Sequence, residues 1–270
     1  MKATVLVDNH KNESLEGEWG LSVLIENNGK KILLDGGQSE LFIRNAEGLN
    51  VNLHDVDYAV LSHGHYDHAN GLPAFMHLNE KAKLYIRDSV AENCYKKKWF
   101  SFKYIGIPFS LLKTDSSRLI KVNGNYQIEP GVWLLPHSTQ HLETIGKKEK
   151  LYRRAGNSYF PDDFNHEQSL VIETEKGLVI FNSCSHGGAA NIIREVSTAF
   201  PGKEVYAIIG GFHLFKRNEK EVREFARKLK ETGVKYVCTG HCTGDKALDV
   251  LKQELGDTVH SLQVGLEIEI

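Results

Sequence analysis

The stretch Val60-Leu61-Ser62-His63-Gly64-His65-Tyr66-Asp67-His68 sets three imidazoles and one carboxylate within six residues, directly after an apolar run from Tyr58 to Leu61. Such a run reads as the last residues of a buried strand. Alternate residues of an extended segment point the same way, so His63 and His65 project together, while Asp67 and His68 fall on the turn that follows. Gly64 lets the loop fold tightly around an ion. Two ligand pairs on one loop are enough for two metal ions, and the spacing predicts that the rest of the chain supplies further ligands and a pocket.

Upstream, Ala3 to Val7, Leu21 to Glu26 and Lys31 to Leu34 read as strands, and Asn27-Asn28-Gly29-Lys30 supplies the Asn-Gly chemistry of a hairpin turn. The hairpin ends at Asp35-Gly36-Gly37, a carboxylate at a strand's carboxyl end followed by two residues that allow a sharp turn. Ser39 to Leu49 predicts a short helix. Downstream, Asn182-Ser183-Cys184-Ser185-His186-Gly187-Gly188, Ile209-Gly210-Gly211-Phe212-His213-Leu214 and Thr239-Gly240-His241-Cys242-Thr243-Gly244 repeat a pattern of strand, glycine and histidine. Helices are expected over Ala189 to Phe200, Glu219 to Thr232 and Asp245 to Leu255, and a closing edge strand from His260.

The paired stretches Ile32-Leu33-Leu34-Asp35-Gly36-Gly37 and His63-Gly64-His65-Tyr66-Asp67-His68 resemble the signature of the metallo-β-lactamase-fold superfamily. The three later segments resemble the subgroup of dihydropterin-yl-methyl ribofuranosylaminobenzene phosphate synthases. The resemblance implies an αββα four-layer sandwich, two face-to-face mixed β-sheets with helices on both outer faces, as a single domain over residues 1–270. It also implies one metal held by His63, His65 and His166 and a second by Asp67, His68 and His241, with Cys184 bridging where Asp is usual in the superfamily. Asp35 is expected behind the ligands, accepting the other N–H of a ligand imidazole. His186 is expected in the same supporting role or in competition with Cys184. His213, beside a Gly-Gly pair, is expected to orient substrate or donate a proton, with Asp67 both ligating and orienting. Nitrogen and sulfur donors favour zinc, with iron or manganese as alternatives.

Apolar content of 41%, charged content of 25% and a net charge of -2 describe an ordinary globular chain with no global field for polyanions. No stretch approaches a membrane span, and the short apolar run before Asp8 is too short for a secretory h-region, so the cytoplasm is the default. Four scattered cysteines argue for reduced thiols. From Tyr95 to Tyr104 aromatic and basic residues interleave, which suits either a stacking surface or an amphipathic element; against the negative net charge, no nucleic acid is expected. Residues 137–165 show no periodicity and hold Arg153 and Arg154, which predicts a lid loop whose arginines bind a small anionic substrate.

The leading functional expectation is a metal-dependent hydrolase in which metal-bound hydroxide attacks a small-molecule ester, foremost a phosphoester. The alternatives are a transferase of the synthase type and a metal or redox sensor using Cys184 and Cys242.

Overall fold

Apolar segments rich in β-branched residues become the central strands of two seven-stranded sheets in the computed structural model, which describes residues 1–91 and 93–270. In the first sheet the order is Glu267–Glu269, Lys2–Val7, Ser22–Asn27, Lys30–Leu34, Tyr58–Val60, Lys83–Arg87 and Leu119–Val122. Antiparallel pairing on the Lys2–Val7 side gives way to parallel pairing from Lys30–Leu34 onward. The second sheet runs Val259–Ser261, Tyr236–Thr239, Val205–Gly210, Gly177–Phe181, Gln168–Thr174, Val132–Pro136 and Tyr126–Glu129. It too is mixed.

Alternation along each strand divides the apolar residues between two cores. Val23, Ile25, Ile32 and Leu34 meet Leu134, Leu170, Val179 and Phe181 between the sheets. Their neighbours Leu24 and Leu33 face helices Leu41–Gly48 and Leu72–Leu78 on the outside of the first sheet. Val171, Ile180 and Ile208 face helices Ala189–Ala199, Glu219–Lys230 and Asp245–Leu255 on the outside of the second. Strands buried on both faces read as unbroken apolar runs, and the result is the expected αββα sandwich. Among the described residues no helix is long and apolar enough to cross a membrane.

Two expectations change. The carboxyl end forms two strands: Val259–Ser261 extends the second sheet, and Glu267–Glu269 crosses to pair with Lys2–Val7 of the first. Residues 137–165 are not an irregular lid: they contain helix Glu143–Glu149 and the hairpin Leu151–Ala155 with Ser158–Pro161. That hairpin joins Cys94–Lys97 and Phe102–Tyr104 in a third, four-stranded sheet. The strands are hard to see in sequence because each is only four or five residues long without apolar alternation, and their partner strands lie some fifty residues earlier.

Phe181 is fully buried between the sheets. Phe181→Ala is expected to lower unfolding free energy by about 3–5 kcal/mol, as measured by denaturant titration, whereas Phe100→Ala at a fully exposed position should stay within about 0.5 kcal/mol.

Candidate metal centre

Strand Tyr58–Val60 ends beside Lys30–Leu34, which carries Leu61 to His68 over the carboxylate of Asp35. Asp35 is fully buried with φ +59°, a conformation that a non-glycine residue rarely adopts. Its Oδ1 accepts the Ser62 N–H at 2.7 Å, and its Oδ2 accepts both the Ser62 hydroxyl at 2.7 Å and the His68 Nδ1–H at 2.8 Å. The Ser62 Oγ lies 2.8 Å from His63 Nδ1. One carboxylate therefore fixes the backbone of the motif and the orientation of two imidazoles, the supporting role expected of Asp35.

The same arrangement recurs around the other rings. His241 Nδ1 lies 3.1 Å from Asn9 Oδ1, and its backbone N–H donates to buried Asp8 Oδ2 at 2.8 Å. His186 Nδ1 bonds to Glu167, whose other oxygen lies 2.8 Å from His137 Nε2. An Nδ1–H given to an acceptor leaves the Nε2 lone pair free. The Nε2 atoms of His63 and His65 are buried with no hydrogen-bond partner, a cost that an ion in that position would remove. Burial and neighbouring imidazoles hold His63, His65 and His241 well below the usual histidine range, hence neutral as metal ligands require.

Ligand atoms of His63, His65 and His186 gather within 4.8 Å of one another, as do those of Asp67, His68 and His241. Cys184 Sγ sits 3.3 Å from His68 Nε2 and in a group with His63 and His68, between the two sets. Asp67 Oδ2 lies 3.9 Å from His68 Nε2 and 3.7 Å from His241 Nε2. The donor set suits two ions. Burial, then the adjacent Cys242 thiol at 3.5 Å, push the Cys184 thiol well up, so ligation there has to displace a proton.

His166 and His186 both lie beside His65, in different groups of ligand-type atoms. His166 does contact His65, Cys94 and Asp162, but its Nδ1 accepts the Gly64 N–H at 3.1 Å and its Nε2 lies 3.1 Å from Asp162 Oδ2. Both nitrogens are committed to hydrogen bonds that brace the motif loop. His186, expected behind the ligands, completes the triad with His63 and His65.

Arg153 and Arg154, expected to bind an anionic substrate, lie on strand Leu151–Ala155. Arg153 pairs with Asp163 at 2.8 Å, and exposed Arg154 donates to the Gly156 carbonyl. The arginine beside the site is Arg217, which pairs with Glu149, while Glu149 Oε2 lies 3.9 Å from His213 Nδ1. Burial, then the His186 imidazole, hold His213 well below the usual histidine range. Its backbone has φ +49°, and Ser185 and His241 are similarly placed at +49° and +46°. Left-handed conformations of this kind cluster at functional sites. The glycines before His213 permit close approach: a Cβ on Gly210 would lie 1.9 Å from Asn182 O, and one on Gly211 2.5 Å from Cys242 Sγ.

Sequence reading missed Trp19, whose indole N–H donates to Asp67 Oδ2 at 2.8 Å and whose ring packs 5.1 Å from His241. It also missed Asp8, Asn9, His137 and Glu167. Asp8 carried a usable signal, a carboxylate at a strand's end like Asp35. Beside His186 and His213 opens a cavity of about 350 Å³ with Phe212, Leu214 and Phe225 in its walls and Arg217 along it.

Asp35→Asn is expected to weaken metal affinity about 10–100-fold, measured by competition with a chromogenic chelator. Buried His137 lies between Glu167 and Glu195; burial opposes its charge, but these carboxylates raise its pKa from 6.5 to about 9. A raised pKa contributes stability in full below about 6.5, and the contribution fades as pH climbs through about 9. Wild type should therefore lose up to about 3 kcal/mol from this group across that window, and His137→Gln should flatten the fall in Tm by one proton's share.

The chain matches the model of the metallo-beta-lactamase superfamily over residues 20–241. It is 31% identical over 94% of its length, and 90% of the relative's, to 7,8-dihydropterin-6-methyl-4-(beta-D-ribofuranosyl)-aminobenzene-5'-phosphate synthase of Methanocaldococcus jannaschii. Among solved structures it resembles Tm1679, described as a metal-dependent hydrolase of the beta-lactamase superfamily, with TM-score 0.86, 29% identity, and coverage of 100% of this chain and 99% of that one. The metallo-β-lactamase-fold protein YhfI of Bacillus subtilis shares the fold at TM-score 0.62 and 14% identity, over 100% and 99% of the two chains. A buried cluster of imidazoles, carboxylate and thiol at the sheet ends, on this fold and with this match, makes the chain a member of the metallo-β-lactamase superfamily, and a metal-dependent enzyme of it.

Proposed function

We propose that this protein is a transferase of the dihydropterin ribofuranosylaminobenzene phosphate synthase type, joining a pterin methylene carbon to the nitrogen of an aminobenzene carrying a phosphorylated ribofuranose. The observation that carries the reading is the cavity beside His186 and His213: its walls of Phe212, Leu214 and Phe225 suit planar rings, where a simple phosphoester needs no such surface. The 31% identity to the synthase over nearly the whole chain points the same way.

His63, His65 and His186 would hold one divalent ion and Asp67, His68 and His241 another, with Cys184 between them. Zinc best suits these nitrogen and sulfur donors. Bound there, the ions supply Lewis-acid stabilisation for an anionic diphosphate leaving group. The chain's own groups supply the rest. Arg217 adds a cation near the cavity, held in place by Glu149. The bond formed is carbon to nitrogen, and the bond broken is carbon to the oxygen of the diphosphate. The proton leaving the amine passes to the His213 imidazole, which is neutral in this setting and has Glu149 Oε2 3.9 Å from its Nδ1 to stabilise the resulting charge.

A second reading, the hydrolase, draws on the likeness to Tm1679. It uses the same residues with water as the acceptor and a phosphoester as the foremost substrate.

Incubation of the metal-loaded protein with a dihydropterin methyl diphosphate and ribofuranosylaminobenzene phosphate should yield the coupled product and one equivalent of pyrophosphate, detected by mass spectrometry. Hydrolysis of the diphosphate without coupling would instead select the second reading. His213→Asn should lower kcat about 10²–10⁴-fold with metal content unchanged.

A further inference from the structure

The third sheet, Ser158–Pro161, Leu151–Ala155, Cys94–Lys97 and Phe102–Tyr104, contains no Asp or Glu. It contains Lys96, Lys97, Lys103, Arg153 and Arg154, together with six aromatic residues, in a chain whose net charge is -2. Two segments distant in sequence are joined by the pairing of Leu151–Ala155 with Cys94–Lys97. The overall charge, which argues against a polyanion partner, conceals this local concentration.

The two faces of the sheet differ. Cys94 and Leu151 point inward and are buried. On the other face Tyr95 packs against Tyr104 and Tyr159 at 5.3 and 5.1 Å, and Phe102 stacks on Tyr159 at 3.8 Å with the rings 2° from parallel. Tyr104 stacks in turn on Phe109, which is 59% exposed. Lys97 lies 5.7 Å over the Tyr152 ring. These rings are half-buried against one another, while helix Glu143–Glu149, which packs on this sheet, meets its opposite face through Ile145 and Leu151. The turn of the hairpin, closed by Lys98 N–H to Ser101 O, holds Trp99 and Phe100 at 91% and 98% exposure. Among the described residues Arg153 is the cation of this sheet that pairs with a carboxylate, Asp163.

We propose that this aromatic and basic face is a binding surface for single-stranded nucleic acid, with bases stacking on the ring row and on Trp99, and phosphates meeting Lys97, Lys98 and Arg154; Lys103, paired with Lys96, lies on the opposite face with Cys94 and Leu151. Charge complementarity selects a polyanion, and a row of ring faces and edges across neighbouring strands suits successive planar bases. A second copy is disfavoured because a two-fold axis through this face would bring its cations against themselves. A lipid surface would engage the Trp99 and Phe100 tip but leave the interlocked rings of the sheet unused. The proposal is independent of the reaction assigned to the metal centre.

Fluorescence anisotropy of the metal-loaded protein with labelled oligothymidine and oligouridine should show binding that weakens steeply with salt. A duplex of equal length should bind more weakly. The combined variant Lys97→Glu, Lys98→Glu, Arg154→Glu and the separate variant Trp99→Ala should each lower affinity, the first by about tenfold or more. All four side chains are exposed, so circular dichroism melts should match wild type. Oligonucleotide affinity unchanged by these variants overturns the proposal. So does binding to phosphatidylserine vesicles without oligonucleotide binding, or a dimer in sedimentation that the charge reversals dissociate.

Discussion

A buried carboxylate is costly unless its oxygens are satisfied, and Asp35 takes three hydrogens from one short stretch of chain. That arrangement holds Ser62 against the strand end, turns His63 through the Ser62 hydroxyl, and fixes the tautomer of His68. The motif loop is then braced from the far side by His166, whose Nδ1 receives the Gly64 N–H. A loop containing a glycine and four ligand-type side chains would otherwise have many conformations; these two hydrogen-bonded anchors restrict it. The left-handed backbone of Asp35 is the local cost of this arrangement.

The other ligands are delivered by a common geometry. Strands Gly177–Phe181, Val205–Gly210 and Tyr236–Thr239 are parallel, so their carboxyl ends lie together and release Cys184, His186, His213 and His241 into one space. Each ligand ring with a recorded Nδ1 partner gives that nitrogen to an acceptor: Ser62 for His63, Asp35 for His68, Glu167 for His186 and Asn9 for His241. The acceptors come from four different parts of the chain, Asn9 being preceded directly by Asp8, which holds the His241 backbone. Behind His186 the network continues through Glu167 and His137 to Glu195 on helix Ala189–Ala199, coupling the metal side of the site to the outer helix layer.

Cys184 and Cys242 set this centre apart from a carboxylate-bridged one. A thiol held protonated by burial gives up its proton on ligation, and sulfur shifts preference toward softer ions than a bridging carboxylate does. The adjoining cavity has Phe212, Leu214 and Phe225 in its walls on the His186 and His213 side. The ligand cluster and the cavity are thus supplied by neighbouring parts of the fold.

The sequence by itself determined the local features: the hairpin ending in Asp35, the strand ending in His63 to His68, the helices with one apolar face, and the dense cluster of ligand types that implies metal. These depend on neighbours within a few residues, so periodicity and spacing reveal them. Tertiary structure decided which imidazole completes each set. His166 and His186 lie twenty residues apart on either side of one hairpin, both at strand ends, and only the strand register sets His186 beside His63 and His65 and turns His166 to Gly64 and Asp162. It also decided that residues 137–165 form a helix and a hairpin, because their pairing partner is the distant strand Cys94–Lys97. Long-range hydrogen bonds such as those of Asn9 and Trp19 leave no trace in local spacing, since either partner alone is an ordinary polar or aromatic residue.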